Sequence, residues 1–184
     1  MIIVLIGPPG AGKSSQSELL RQREHVNWLY VGKLLRSQND KGLDDIINSG
    51  QLVPDNIVNR LVASYIKGIP AKQLVVIDGF PRHLPQAEWL VDFSRQSQLP
   101  ISGVIYLMVP AEVTKQRLGL RQREDDTPGV IDERLKEYER DMAPVVSYFE
   151  SRGVPVHPVD GNRPIEVVFK DIDRILNDVH ATQI

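Results

Sequence analysis

The 184-residue sequence contains no cysteine. No disulfide can staple it and no thiolate can hold zinc, so a reducing cytoplasm is the expected compartment. A surplus of positive charge is also missing. With 22 Lys and Arg against 24 Asp and Glu, a formal charge of −2, little is left for counterion release along a nucleic acid, and any positive patch must be local. Long apolar runs are absent as well. The first, Ile2 to Ile6, is too short for the core of a secretory signal and leads directly into glycines. No stretch approaches the ~20 residues that span a bilayer. Neither a nucleic-acid partner nor a membrane is expected. Without internal repeats, low-complexity tracts or an interdomain linker, the length suits one domain over 1–184.

What is present is an alternation. Short apolar runs at Ile2 to Ile6, Leu74 to Ile77, Val104 to Val109 and Val154 to Val159 read as buried strands. Helix-period segments lie between and after them. Ile165, Val168, Phe169, Ile172, Ile175, Leu176 and Val179 form one apolar face, and Leu135, Tyr138, Met142, Val145, Val146 and Phe149 another. Pro144 lies within the second helix, removes one of its hydrogen bonds and is expected to bend it. Strands alternating with helices predict right-handed crossovers and an α/β fold with a mostly parallel sheet, whose ligands bind beyond the carboxyl ends of the strands. Residues 30–60 carry two helical patterns and no clear strand, and are read as an inserted flap.

Directly after the first strand comes Gly7-Pro-Pro-Gly-Ala-Gly-Lys-Ser14, which fits GxxxxGK[ST] in the strand-to-helix setting that the pattern needs. Glycines at 7, 10 and 12 let the backbone curl with its amides inward, and a helix beginning near Lys13 adds its positive dipole end. Such a loop, a P-loop, accepts phosphate oxygens. Lys13 would reach the β and γ phosphates, and the Ser14 or Ser15 hydroxyl would stand near Mg²⁺. A turn that merely joins strand to helix would leave Lys13 and the strand register to coincidence. Asp78 ends the run Leu74-Val75-Val76-Ile77 and so places a carboxylate on the same sheet edge, as a Mg²⁺ partner either direct or through water. Asp-Gly is also a common turn pair, but nothing strand-like follows promptly and Pro81 interrupts the segment. Arg117 and Arg121, like charges four residues apart on a helix, call for an anion between them, either a ligand or a carboxylate such as Asp125 or Asp126.

At Asp78-Gly-Phe-Pro-Arg82 followed by Gln86, the sequence resembles the adenylate kinase family and its uridylate and cytidylate kinase relatives. The match continues, in family order and over nearly the whole chain, through Gly32-Lys-Leu-Leu-Arg36, Gly50-Gln-Leu-Val-Pro54, Gln116-Arg117, Arg123-Glu-Asp-Asp126 and Arg134-Leu-Lys-Glu-Tyr138. The resemblance implies a P-loop NTPase-type three-layer fold with a nucleoside-monophosphate flap at 30–60 and a short lid at 121–130. It implies transfer of the γ-phosphoryl of ATP to AMP, with Mg²⁺ as the cofactor and no zinc, in a chain expected to be a monomer whose partners are ATP or ADP and AMP. Donor contacts would come from Gly7, Pro9, Gly10, Ala11, Gly12, Lys13, Ser14 and Ser15, with Arg117 over the base and Gly161 completing its pocket. On the acceptor side Arg36 and Arg82 would grip the phosphate and Gln86 the base, with Val31, Leu52, Val53, Gly79 and Arg134 around them. Lys13, Arg82, Arg121, Arg123 and Arg134 would act on the migrating group.

The sequence departs from the family pattern in two places. Ser-Thr-Gly-Asp or Ser-Ala-Gly-Asp usually precedes the Leu-Leu-Arg of the flap, whereas this chain has Tyr30-Val31-Gly32-Lys33, without the hydroxyl and the carboxylate. A less stringent base preference is therefore expected, with AMP still the best acceptor. The lid is shorter than in common short-lid members and has no room for a zinc-bearing subdomain. A pyrimidine monophosphate kinase, another small-molecule P-loop kinase and a weakly active nucleotide-binding regulator stay open as alternatives. His25, His83, His157 and His180 show no ligand spacing and are read as surface or packing residues. Asp44 and Asp45 are read as the polar start of an amphipathic helix, and Asp126-Thr-Pro-Gly129 as a chance match to a GTPase pattern.

Overall fold

All five residues of the first apolar run are buried, three toward one layer of core and two toward the other, as a central parallel strand requires. The computed structural model describes residues 1–21, 26–70, 73–120 and 127–181, apart from the side chain of residue 180. Along the chain run β1 (Ile2–Ile6), α1 (Lys13–Leu20), β2 (Val26–Tyr30), α2 (Val31–Arg36), α3 (Lys41–Asn48), α4 (Asp55–Lys67) and β3 (Leu74–Asp78). They are followed by α5 (Leu84–Gln96), β4 (Ile101–Met108), α6 (Ala111–Leu120), α7 (Pro128–Ser151), β5 (Val156–Asp160) and α8 (Ile165–Ala181).

The strands pair in parallel in the order β2-β3-β1-β4-β5. Side chains alternate between two cores. Ile2, Val4, Ile6, Val75 and Ile77 face the layer built by α2 to α5 and α7, where Val62, Leu90, Val145 and Phe149 are buried. Ile3, Leu5, Leu74 and Val76 face α1 and α8, where they meet Leu20, Val168, Ile172 and Leu176. This is the expected three-layer α/β sandwich. A third, small cluster of Leu118, Ile131 and Leu135 joins α6 to α7. The chain leaves β1 toward β2 on one side and β3 toward β4 on the other, so the switch point of the sheet lies beside β1, where open α/β sheets bind ligands.

The structure differs from the sequence reading in five places. β2 was not anticipated: its residues Val-Asn-Trp-Leu-Tyr lack clean alternation, and α2 follows with no turn residue between. β4 begins at Ile101, three residues before Val104, and β5 runs Val156–Asp160 with Pro158 inside it. Proline is tolerated there because β5 is an edge strand with one side of its backbone unpaired. Ile165 does not join the packed face of α8. It is 41 % exposed, since as the first residue of the helix it projects past the sheet to the rim of the cleft. Three helices reach into residues 30–60, because Asp40 caps α3 through the Gly42 and Leu43 amides and so separates it from α2.

Candidate active site

The loop after β1 turns through glycines, and at Gly7 and Gly10 there is no space for a side chain. A Cβ on Gly10, whose φ is +81°, would lie 2.8 Å from the Thr114 carbonyl oxygen of α6. This close approach sets the loop against α6 and presents the N-terminus of α1, with Gly12 at its cap, to the carboxyl edge of the sheet. Lys13 Nζ donates to the carbonyls of Gly7 at 2.7 Å and Pro8 at 3.0 Å, so the ammonium is held over the loop. Asp78 is buried at the end of β3, in register with Leu5 on one side and Tyr30 on the other. The carboxylate and the glycine loop therefore share one edge.

A second glycine closes the wall beside this loop. Gly161 donates its N–H to the Met108 carbonyl, and a Cβ there would come within 2.7 Å of Val109. Its own carbonyl accepts from Arg117 Nη1 at 3.1 Å, which ties α6 to the loop that follows β5. Arg163, not anticipated from the sequence, also lines this wall and is steadied by the Asp160 carbonyl and by Asp171 at 2.6 Å.

Arginines dominate the other end. Arg36 on α2 donates to the Gly32 carbonyl at 3.3 Å, and Arg82 to the Gly79 carbonyl at 3.2 Å. Arg82 stands within the cleft, walled by protein yet reached by solvent through the opening. Removal from bulk water and then the charge of Arg134 push its pKa below the usual guanidinium value. Two cations crowded in a poorly solvated place are relieved by an anion between them. Arg134 projects from α7 and donates to the Ile47 carbonyl at the end of α3, 3.2 Å away. Nearby, Gly50 lies so close to Val130 that a Cβ would meet its Cγ1 at 2.9 Å. The 41–50 segment thus rests on the first turns of α7.

All these groups open onto one cleft of about 1210 Å³. It is lined by Gly7, by Pro9 to Ser15, and by Arg117 and Gly161. Asp78, Gly79, Arg82, Gln86, Val31, Arg36, Leu52, Val53 and Arg134 complete it. A smaller groove of about 330 Å³, between α5 and the amino end of the sheet, contains none of them. Arg121, Arg123, Asp125, Asp126 and His25 lie outside the described residues. So does most of the 121–130 segment, whose described part is Thr127, the cap of α7, and its first residues. Lys33 places its ammonium 4.4 Å from the centre of the Tyr30 ring, within the lining of the cleft.

The sequence reading missed a polar cluster around the buried Gln86. Gln86 is 2 % exposed; its Oε1 accepts from the Arg82 N–H and its Nε2 donates to Asp55, which also lies 3.0 Å from His83 Nε2. Asp55 and His83 immediately follow Gly50-Gln-Leu-Val-Pro54 and Asp78-Gly-Phe-Pro-Arg82, and that adjacency was the available signal.

Compared with known proteins, residues 5–154 match the family model described as adenylate kinase. An adenylate kinase of Nitrobacter hamburgensis is 34 % identical, with 97 % of this chain and 93 % of the relative aligned. One from Methylobacterium radiotolerans is 36 % identical over 96 % of both chains, and one from Salinibacter ruber 32 % identical over 96 % of this chain and 98 % of its own.

Proposed function

The chain belongs to the adenylate kinase family, and we propose that it transfers the γ-phosphoryl of MgATP to AMP, giving two ADP. The observation that carries this reading is a single cleft with an anion cradle at one end and an arginine cluster at the other. At about 1210 Å³ it exceeds the roughly 300–1,000 Å³ of ordinary one-ligand pockets, so it suits two nucleotides end to end.

The acceptor phosphate is itself an anion at neutral pH. Attack on the γ-phosphoryl therefore requires alignment and charge neutralisation rather than a general base. In this reading the amides of Gly10 and of residues 12–15 hold the donor phosphates, and Lys13 moves from the Gly7 and Pro8 carbonyls onto the β and γ oxygens. Arg117 and Gly161 border the donor base. Arg36 and Arg82 hold the AMP phosphate in line, Arg134 reaches the migrating group from α7, and Arg121 and Arg123 join it from the lid. Val31, Leu52, Val53 and Gly79 shape the acceptor pocket, and Gln86 reads the base.

Asp78, Ser14 and Ser15 suit the Mg²⁺ that accompanies ATP: one buried carboxylate and two hydroxyls face the cradle, an all-oxygen set. Among the described residues no three acidic, His or Cys groups gather into a metal cage. That accords with an ion held by one or two carboxylates and by substrate phosphates. An ion held by these groups would supply charge neutralisation to the transferring phosphoryl group. No helix among the described residues is long and apolar enough to cross a membrane, and with no cysteine to oxidise the proposed location is the cytoplasm.

The test is purified protein with MgATP and each nucleoside monophosphate in turn, with products separated chromatographically. AMP is expected to give the highest kcat/KM. A higher value for UMP or CMP would overturn the adenylate assignment.

A further inference from the structure

Gln86, proposed to read the acceptor base, is held at both ends of its amide. Oε1 accepts from the Arg82 backbone N–H at 2.9 Å, and Nε2 donates to Asp55 Oδ1 at 2.8 Å. Asp55 is the first residue of α4, and the same oxygen lies 3.0 Å from Nε2 of His83, the residue that precedes α5. Two helices from opposite sides of the flap junction thus meet on one carboxylate. With Gln86 buried, breaking either bond leaves a polar group unpaired away from water.

Resting on the adenylate kinase reading, we infer that Asp55, steadied by His83, is a positioning residue: it fixes the direction of the Gln86 amide and so selects 6-amino over 6-oxo purine acceptors. An unrestrained glutamine can turn its amide over and present donor and acceptor in either order. Here the reversed amide would set NH₂ against the Arg82 N–H and a carbonyl against the Asp55 carboxylate, two repulsive contacts at once. In the held direction one N–H and one carbonyl lone pair remain for a ligand. A 6-aminopurine offers an amino donor beside the N1 acceptor, which these groups complement. A 6-oxopurine offers a carbonyl acceptor beside an N1–H donor, the opposite order, and meets like groups. Neither Asp55 nor His83 lines the cleft, so each acts through Gln86 rather than on the nucleotide. This lock works against the looser base preference expected from Val31, which lacks a supporting hydroxyl.

The experiment is the ratio of kcat/KM for AMP to that for inosine monophosphate at saturating MgATP, in wild type, Asp55→Ala, Asp55→Asn and His83→Ala, each checked by thermal melting. Asp55→Ala is expected to lower the ratio roughly 10-fold, the worth of one buried hydrogen bond. Asp55→Asn keeps an acceptor oxygen and should restore most of it, which a purely structural role would not predict. His83→Ala should lower the ratio about 2- to 3-fold, and the KM for ATP should stay level throughout. If Asp55→Ala does not fold, His83→Ala decides on the same ratio: a fall supports the proposal and no change overturns it. A wild type that favours AMP over the 6-oxo nucleotide, with a ratio that Asp55→Ala leaves alone, overturns this proposal only. A wild type that phosphorylates no nucleoside monophosphate overturns the reading of the site itself.

Discussion

At the end of the cleft proposed to take the donor, the groups proposed to bind phosphate are mainly backbone amides, placed by glycines such as Gly10, whose missing side chain lets the loop press on α6. At the acceptor end they are long side chains, Arg36, Arg82 and Arg134, each held by a carbonyl. The Arg134 carbonyl belongs to a distant element, Ile47 of α3. The glycine loop is shaped by a local turn pressed on α6, whereas the hold on Arg134 exists only once α3 and α7 have packed. An inflexible cradle suits a ligand whose phosphates are always gripped in the same way.

The largest effect should come from the side-chain cation that stands over the glycine loop, Lys13. Lys13→Ala leaves the glycine turn and the α1 N-terminus in place, so the fold and the KM for AMP should persist. Turnover should fall by ~10²-fold or more with loss of the cation on the transferring phosphoryl. A near wild-type kcat in a steady-state assay would break the assignment of the cradle.

Arg36→Ala and Arg82→Ala probe the other end. Each removes charge-assisted hydrogen bonds to the acceptor phosphate alone, so kcat/KM for AMP should drop roughly 10- to 100-fold with the KM for ATP nearly level. Of the two, Arg82 should cost more, since the charge of Arg134 bears on it and an anion there relieves both. Equal losses for both nucleotides would erase the division between the ends.

The same contrast explains what could be read in the sequence. Everything needed for the donor cradle lies within Gly7 to Ser15 plus Asp78, in a strand-to-helix context that hydrophobic patterning reveals. The parallel sheet was equally legible in β1, β3 and the centre of β4, where buried strands are continuous apolar runs. The acceptor end resisted because its contacts are long-range. Nothing local in Asp55 says that it meets Gln86 31 positions on, and nothing in His83 that it shares that carboxylate. β2 stayed hidden for a different reason: it is an edge strand that needs only Trp28 and Leu29 buried, and it passes into α2 without glycine or proline to mark the join.

A smaller effect tests how far the acceptor end is tuned by single groups. Val31 opens α2, is buried and lines the cleft at the position where the family pattern has Thr or Ala. Val31→Thr is nearly isosteric and should raise the kcat/KM preference for AMP over UMP by at most the ~0.5–1.5 kcal/mol of one hydrogen bond. An unchanged preference would place Val31 beside the ribose or phosphate rather than the base.

The smallest effect concerns the tie between the helices that serve the two ends. Lys115 on α6, two residues before Arg117, pairs with Asp132 on α7, two before Arg134, at 2.9 Å and in open solvent. The hydrogen bond and then the charge of Lys115 hold the Asp132 carboxyl below its ordinary value of 3.8, and Asp132 in turn holds Lys115 above its ordinary 10.5. A lowered carboxyl pKa gives stability that is present above 3.8 and lost as pH falls through the folded value. A raised amine pKa gives stability that is present below 10.5 and lost as pH rises through the folded value. Between those limits the contribution is flat. Because both groups are well solvated, it is also weak and screened by salt. Asp132→Asn should therefore lower the Tm only slightly, by the same amount at about pH 6 and about pH 8, and by less in about 0.5 M salt. Both KM values should stay put, since the buried Leu118, Ile131 and Leu135 already join the two helices. A Tm loss that grows with added salt would show that the pair is not held by charge. A shift in the KM for one nucleotide alone would show that an exposed pair tunes one end of the cleft after all.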